Sequence, residues 1–386
     1  MTRIACDDRG MDTATSPPRL RTRLPHVLAT LYGIAIVYAS LEPFHPWLPP
    51  QTSFFLFDFG SARWIRYDAL LNVLSYVPFG FFVALLRRGV SPTRRIVHSV
   101  VIGAAMSFAM ESLQMYVPPR VASPLDLAAN IVGALGGGAL ATVLAYNQST
   151  RESIYGARTR LFLPGPLGDV GLALMLLWLV AQTNPGIPLF AVTFDNEVPT
   201  GPALIAAPPV HDDASTVAHE NANIVVQAAG TGFQVLGVGL FAALLLRRRR
   251  HAGSIVVALI AGALLLKGIA AVVLLKPAMW QSWVKPGVLI GAAIGGALLA
   301  GAIALPRPVQ VALCAIALLS ALLAPVLAPE SLSARAPLAI FDWHYGQLLN
   351  YNGLTRAALL VWPLLTAAWL FALAGRPSWG KPPDPG

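Results

Sequence analysis

An all-α, polytopic membrane fold is predicted by three observations. Apolar runs of about 18–22 residues recur along the chain, long enough to cross a bilayer core of roughly 30 Å. Only 12% of the 386 residues are charged, against roughly 25% in soluble domains, and mean hydropathy is +0.63. Most Lys and Arg fall in short segments between the apolar runs.

Ten runs read as helices: 26–42, 68–86, 96–117, 125–146, 167–183, 230–246, 253–275, 287–305, 309–327 and 356–374. With the N-terminus inside, 19 of the 27 Lys and Arg lie on the cytoplasmic side and 7 outside. Lys267 is left within a span. That asymmetry predicts ten crossings with both ends cytoplasmic.

The regions follow in order. Residues 1–25, arginine-rich and polar, form a cytoplasmic tail without a signal-peptide cleavage pattern. Residues 26–147 hold four spans, and 148–166 form a cytoplasmic linker. Residues 167–375 hold six spans, with outer loops at 184–229 and 328–355. Residues 376–386 form a second tail. The loop 184–229 carries acids and no Lys or Arg, as an exported segment does.

Two cysteines, Cys6 and Cys314, make no disulfide framework, and no His- or Cys-rich metal pattern is present. No P-loop, dinucleotide fingerprint or hydrolase elbow occurs, and no cofactor is expected. The net charge of +9 does not imply nucleic acid, because its carriers are spread over inter-span loops.

The informative stretch is MESLQMYVPPRVASPLDLAANIVGALGGG, Met110 to Gly138. Glu111 and Gln114 close the third span, Arg120 sits in the turn, and Asp126 and Asn130 open the fourth. Asp68 and Asn72 open the second span at the same outer level. The pairs at i, i+3 and i, i+4 each share a helix face. Beyond Asn130 the stripe continues as Gly133 and Gly137, which permits close approach of a helix or lipid chain. Pro78 is expected to kink the second span. An isolated charge in hydrocarbon costs at least roughly 2.5–3.5 kcal/mol. Arg120 is therefore expected to pair with Glu111, Asp126 or Asp68. Each acid also has a structural reading: Asp126 follows Ser123 and Pro124, where an acid favours the helix dipole.

These residues carry a resemblance. LLNVLSYVPFGFFVALL, then ESLQ, then R-x5-D-x3-N-x2-G resembles the VanZ-like family, named for a membrane protein linked to teicoplanin resistance. It covers about residues 28–146. The family's polar pattern maps to Asp68, Asn72, Glu111, Gln114, Arg120, Asp126 and Asn130. The family often has a second acid just before the position of Asp126; here Leu125 stands there, which counts against a paired-carboxylate mechanism. The resemblance implies a cell-envelope role in a bacterial inner membrane. Residues 150–386 lie outside it.

Lys267, about nine residues from the outer end of its span, is expected to contact an acid of the first half and couple the halves, or to face a wet crevice. Arg247–Arg250 is a basic run read chiefly as a topology determinant, with attraction for anionic headgroups as the sharper reading. Asp342, His344 and Tyr345 lie in an aromatic outer loop read as an interfacial anchor.

Three functions compete. In the first, the polar layer binds the headgroup of a membrane lipid, an envelope-lipid precursor or a glycopeptide-like amphiphile, in a resistance-like role. In the second, Glu111 or Asp126 acts as general acid or base on a lipid-linked substrate, although no nucleophile–base pair is visible. In the third, the chain is a transporter or flippase with Lys267 in the path. The first fits the surface position of the cluster best. Ligand identity, oligomeric state and the job of residues 150–386 are not fixed by sequence.

Overall fold

A computed structural model describes residues 22–42, 44–50, 53–57, 66–118, 120–187, 213–327 and 346–376; the side chains of 66–68, 213–223, 324–327 and 346–350 lie outside that description. All its regular elements are helical among the described residues. They are α1 (Leu24–Leu41), α2 (Arg66–Leu86), α3 (Pro92–Gln114), α4 (Pro124–Tyr146), α5 (Gln148–Leu161), α6 (Gly165–Ala181) and α7 (Asp213–Leu244). Then follow α8 (Ala252–Leu274), α9 (Pro286–Ala302), α10 (Arg307–Leu327) and α11 (Gly346–Ala374).

Each apolar run of the sequence corresponds to a helix. Seven of these, α1–α4, α7, α8 and α11, are long and apolar enough to cross a bilayer. The apolar helices α6 and α9 have 17 residues each, about 26 Å at 1.5 Å per residue and a little short of the hydrocarbon thickness. The apolar part of α10, Arg307–Leu323, falls in the same class.

Three boundaries differ from the sequence reading. The linker contains α5, because Asn147 caps it by accepting from the Thr150 amide at 3.0 Å. The outer loop assigned to 184–229 is already helical from Asp213. The loop assigned to 328–355 is helical from Gly346, so Arg356 lies inside α11, 9% exposed, rather than at its start. Residues 341–345, with Asp342, His344 and Tyr345, lie outside the described residues.

Starts are set by short signals. Ser91 accepts from the Arg94 amide ahead of Pro92, and Ser123 accepts from the Leu125 amide ahead of Pro124. Pro78 lies inside α2.

The stripe on α4 meets a helix. A Cβ on Gly133 or Gly137 would collide with the carbonyls of Val73 or Val77 on α2, and one on Gly80 of α2 with Ala134 of α4. The α2 and α4 backbones are therefore in direct contact. Ser99 of α3 ties the trio by aiming its hydroxyl at the carbonyls of Gly80 (2.8 Å) and Ala134 (3.0 Å). A small core of Ile36, Leu41, Tyr76, Phe79, Val83 and Met110 joins α1 to α2 and α3.

The larger core lies in α6–α11. Trp362 and Trp369 of α11 donate their indole N–H groups to the carbonyls of Leu174 and Leu167 on α6, both at 2.8 Å. Phe241 of α7 packs edge-on against both indoles.

Two bundle ends result. The basic end holds the starts of α1, α3 and α6 and the ends of α2, α4 and α7. The far end holds the end of α1, the α3–α4 turn and the end of α6. Helix α1 is pinned to the C-terminal half at both. At the basic end Asp169 of α6, 1% exposed, accepts from the Thr22 hydroxyl (2.9 Å) and the Arg23 amide (2.7 Å), and pairs with Arg158 of α5 at 2.8 Å. At the far end the Glu42 carboxylate sits against Gly353 of α11.

Candidate functional site

Five of the seven polar positions fall into two groups at the far end. The first lies between α3 and α4. Ser107 and Glu111 share a face of α3, one turn apart. The Asn130 amide donates to the Ser107 hydroxyl at 2.9 Å. The Ser123 amide, at the start of α4, donates to Glu111 Oε2 at 2.9 Å. Glu111 and Asn130 are 4% and 5% exposed. Asp126 lies within electrostatic reach of Glu111. From α2 the buried Tyr76 hydroxyl faces Ser107 and Glu111. Asn130 Oδ1 has no hydrogen-bond partner among the described residues.

The second group closes α1. The Gln114 amide donates to the Ser40 carbonyl at 3.0 Å. Arg120 donates from Nε to the Glu42 carbonyl at 2.9 Å and from Nη2 to the carbonyls of Ala39 (3.3 Å) and Glu42. The last carbonyls of a helix have no partner within it, and cations favour that end of the dipole. Arg120 and Gln114 supply what α1 lacks. Of the acids expected to hold Arg120, Glu111 accepts from the Ser123 amide, and the side chain of Asp68 lies outside the described residues. Glu42 is its nearby acid: burial raises the Glu42 carboxyl above the ordinary range, and the Arg120 guanidinium draws it partly back.

Asn72 is half-buried on α2, its carbonyl accepting from the Ser75 hydroxyl at 3.0 Å. Asp68 lies in the first turn of α2, and its side chain falls outside the described residues.

Lys267, 1% exposed, finds carbonyls of the C-terminal half rather than an acid of the first. Its ammonium donates to Asn184 at 2.8 Å and Gln182 at 3.4 Å, at the end of α6. The Asn184 amide binds Asn352 (2.8 Å) and Thr355 (2.7 Å) of α11, while the Thr183 and Tyr351 hydroxyls meet at 2.5 Å.

Sequence reasoning missed Ser107, Tyr76, Glu42 and Asn184. Ser107 was findable, four residues before Glu111 on one face. Glu42 and Asn184 end apolar runs, and nothing local says what meets them.

Residues 14–145 match the family model of VanZ/LLP1. The N-terminal part of the chain is VanZ-like. No curated protein and no solved structure matches the chain. The VanZ-like part thus comprises α1–α4, with both polar groups at its far end. Helices α6–α11 lie beyond the match. Among the described residues no cluster of three His, Cys, Asp or Glu stands ready for a metal.

Proposed function

We propose that the chain is a bacterial inner-membrane protein of ten crossings with both ends cytoplasmic, and that its VanZ-like part recognises the headgroup of an envelope lipid or a glycopeptide-like amphiphile. The surplus of Lys and Arg at the basic end supports that orientation. One observation carries the recognition. Asn130 Oδ1 is buried beside Ser107 and Glu111 without a hydrogen-bond partner among the described residues. Buried polar atoms are rarely left so, and a headgroup hydroxyl or amide at this place would satisfy it. Glu111, Asp126 and Asn130 are the ligand-facing residues in this reading, with Asp68 and Asn72 alongside. Gln114 and Arg120 hold the wall formed by α1.

The test is native mass spectrometry of protein released in mild detergent, comparing wild type with Asn130→Ala and Glu111→Gln. A defined lipid kept by wild type and lost by both variants, at unchanged helicity, is the expected result. The same lipid on all three, or none on any, sinks the reading.

The electrostatic reach between Glu111 and Asp126 favours a second reading, acid–base chemistry on a lipid-linked substrate. Turnover of a polyprenyl-phosphate or phospholipid by purified protein, lost in Glu111→Gln, would replace binding with catalysis.

A further inference from the structure

Helix α5 begins and ends at one level of the bundle. It starts one residue after α4, whose Gly138 lies against Ser99 near the start of α3. It ends where Arg158 pairs with Asp169 of α6, which also holds Thr22; Arg88 at the end of α2 donates to the Thr22 carbonyl at 3.0 Å. Fourteen residues, about 21 Å of helix, therefore run along the basic end rather than away from it.

Its faces are sorted. Thr150, Ile154, Ala157 and Leu161 recur at i, i+4, i+7 and i+11, one continuous stripe. Ile154 at its middle is 59% exposed. The acid of α5, Glu152, lies on the opposite face, bonded to Gln148 at 2.8 Å. The end of α5 is joined to the basic run by backbone pairing. The Leu163 amide donates to the Leu245 carbonyl, and the Arg247 amide to the Leu161 carbonyl, both at 2.8 Å around a Phe162–Leu246 bridge. Arg247–Arg250 and Arg160 are exposed beside it.

We propose that α5 is an interfacial helix seated on the leaflet at the basic end, and that the arginines paired to its end bind the phosphates of anionic lipids there. A chain already crossing the membrane on both sides of α5 holds that stripe at headgroup level. An apolar stripe with cations beside it and its acid turned away matches an anionic lipid surface. The pairing of Arg247 with Leu161 fixes the cations next to the stripe.

The test uses the full chain with Cys6 replaced by serine and an environment-sensitive fluorophore on Ile154→Cys or, separately, Glu152→Cys. Each is placed in nanodiscs of phosphatidylcholine alone or mixed equally with phosphatidylglycerol. The expected result is a blue shift and severalfold brightening at 154 and not at 152, larger in anionic discs. About 1 M salt, where the Debye length is roughly 3 Å, should cancel the anionic excess on the otherwise unaltered protein. So should Arg160→Gln with Arg247→Gln and Arg248→Gln. Equal, water-like signals at 154 and 152 would overturn the proposal. So would burial at 154 that is the same in both lipids and blind to salt.

Discussion

Arg120 Nε donates to the carbonyl of Glu42, not to its carboxylate, at 2.9 Å. Glu42 Oε2 is left buried without a hydrogen-bond partner among the described residues, beside Gly353. The guanidinium thus serves as a cap for α1, and the carboxylate serves as a contact with α11.

Replacing Arg120 should test the cap. Arg120→Ala strips hydrogen bonds from two carbonyls on the α1 terminus, those of Ala39 and Glu42, and should cost about 2–3 kcal/mol, since bonds to charged groups are each worth roughly 1.5–3. Arg120→Lys should recover only part, lacking the planar fork. Thermal unfolding in detergent measures both, and full recovery by lysine would contradict the cap.

Glu42 should give the stability a pH dependence. Its folded proton affinity is raised by burial, against the opposing pull of Arg120. The folded chain therefore holds that proton more tightly than the unfolded chain. The contribution is fully present below the unfolded value, roughly 4.3, and is lost as pH rises through the folded value. The effect should be small, because the group is only half-buried. A pH series of melting points should flatten in Glu42→Gln.

Close helix contact predicts a local difference between neighbours. Gly137→Val must push against the Val77 carbonyl and should cost at least about 1–3 kcal/mol. Gly136→Ala meets only Val77 Cγ2 at 3.8 Å and should be near neutral. Equal melting points for the two would deny the α2–α4 contact.

Removing the Lys267 ammonium should orphan the Asn184 carbonyl. Lys267→Met keeps the volume and should cost about 1–3 kcal/mol, and Lys267→Ala more, through the added cavity. Because its bonds stay within the C-terminal half, its effect should add to that of Glu111→Gln within about 0.3–0.5 kcal/mol. A larger coupling in a double-mutant cycle would join Lys267 to the VanZ-like part.

At the basic end, Asp169→Asn should leave Arg158 without its buried partner and loosen the start of α1. Breaking a buried pair costs about 3–5 kcal/mol. Hydrogen exchange should rise at Thr22–Leu24 and at the end of α5; exchange confined to α6 would contradict the tie.

Much of the fold was legible because a bilayer restricts the menu: a long apolar run has to satisfy its backbone internally, and only a helix does so within one segment. Periodicity placed Glu111 with Gln114 and Asp126 with Asn130 on common faces. It also marked Gly133 and Gly137 as a contact stripe. It gave no partner to any of them. The carbonyls that Arg120 and Lys267 bind belong to every residue alike, so no side-chain pattern announces them.

The sequence by itself determined a helical membrane protein, the places of its apolar helices, the VanZ-like part and the basic segments. The helices and basic segments follow from composition and spacing along one chain, and the VanZ-like part from its resemblance in motifs. The tertiary structure alone decided that Arg120 closes α1, that Lys267 closes α6, that Glu42 rests on Gly353 and that Asp169 gathers Thr22 and Arg158. Each of these joins residues up to 311 positions apart, and proximity of that kind is created by packing rather than by neighbouring letters.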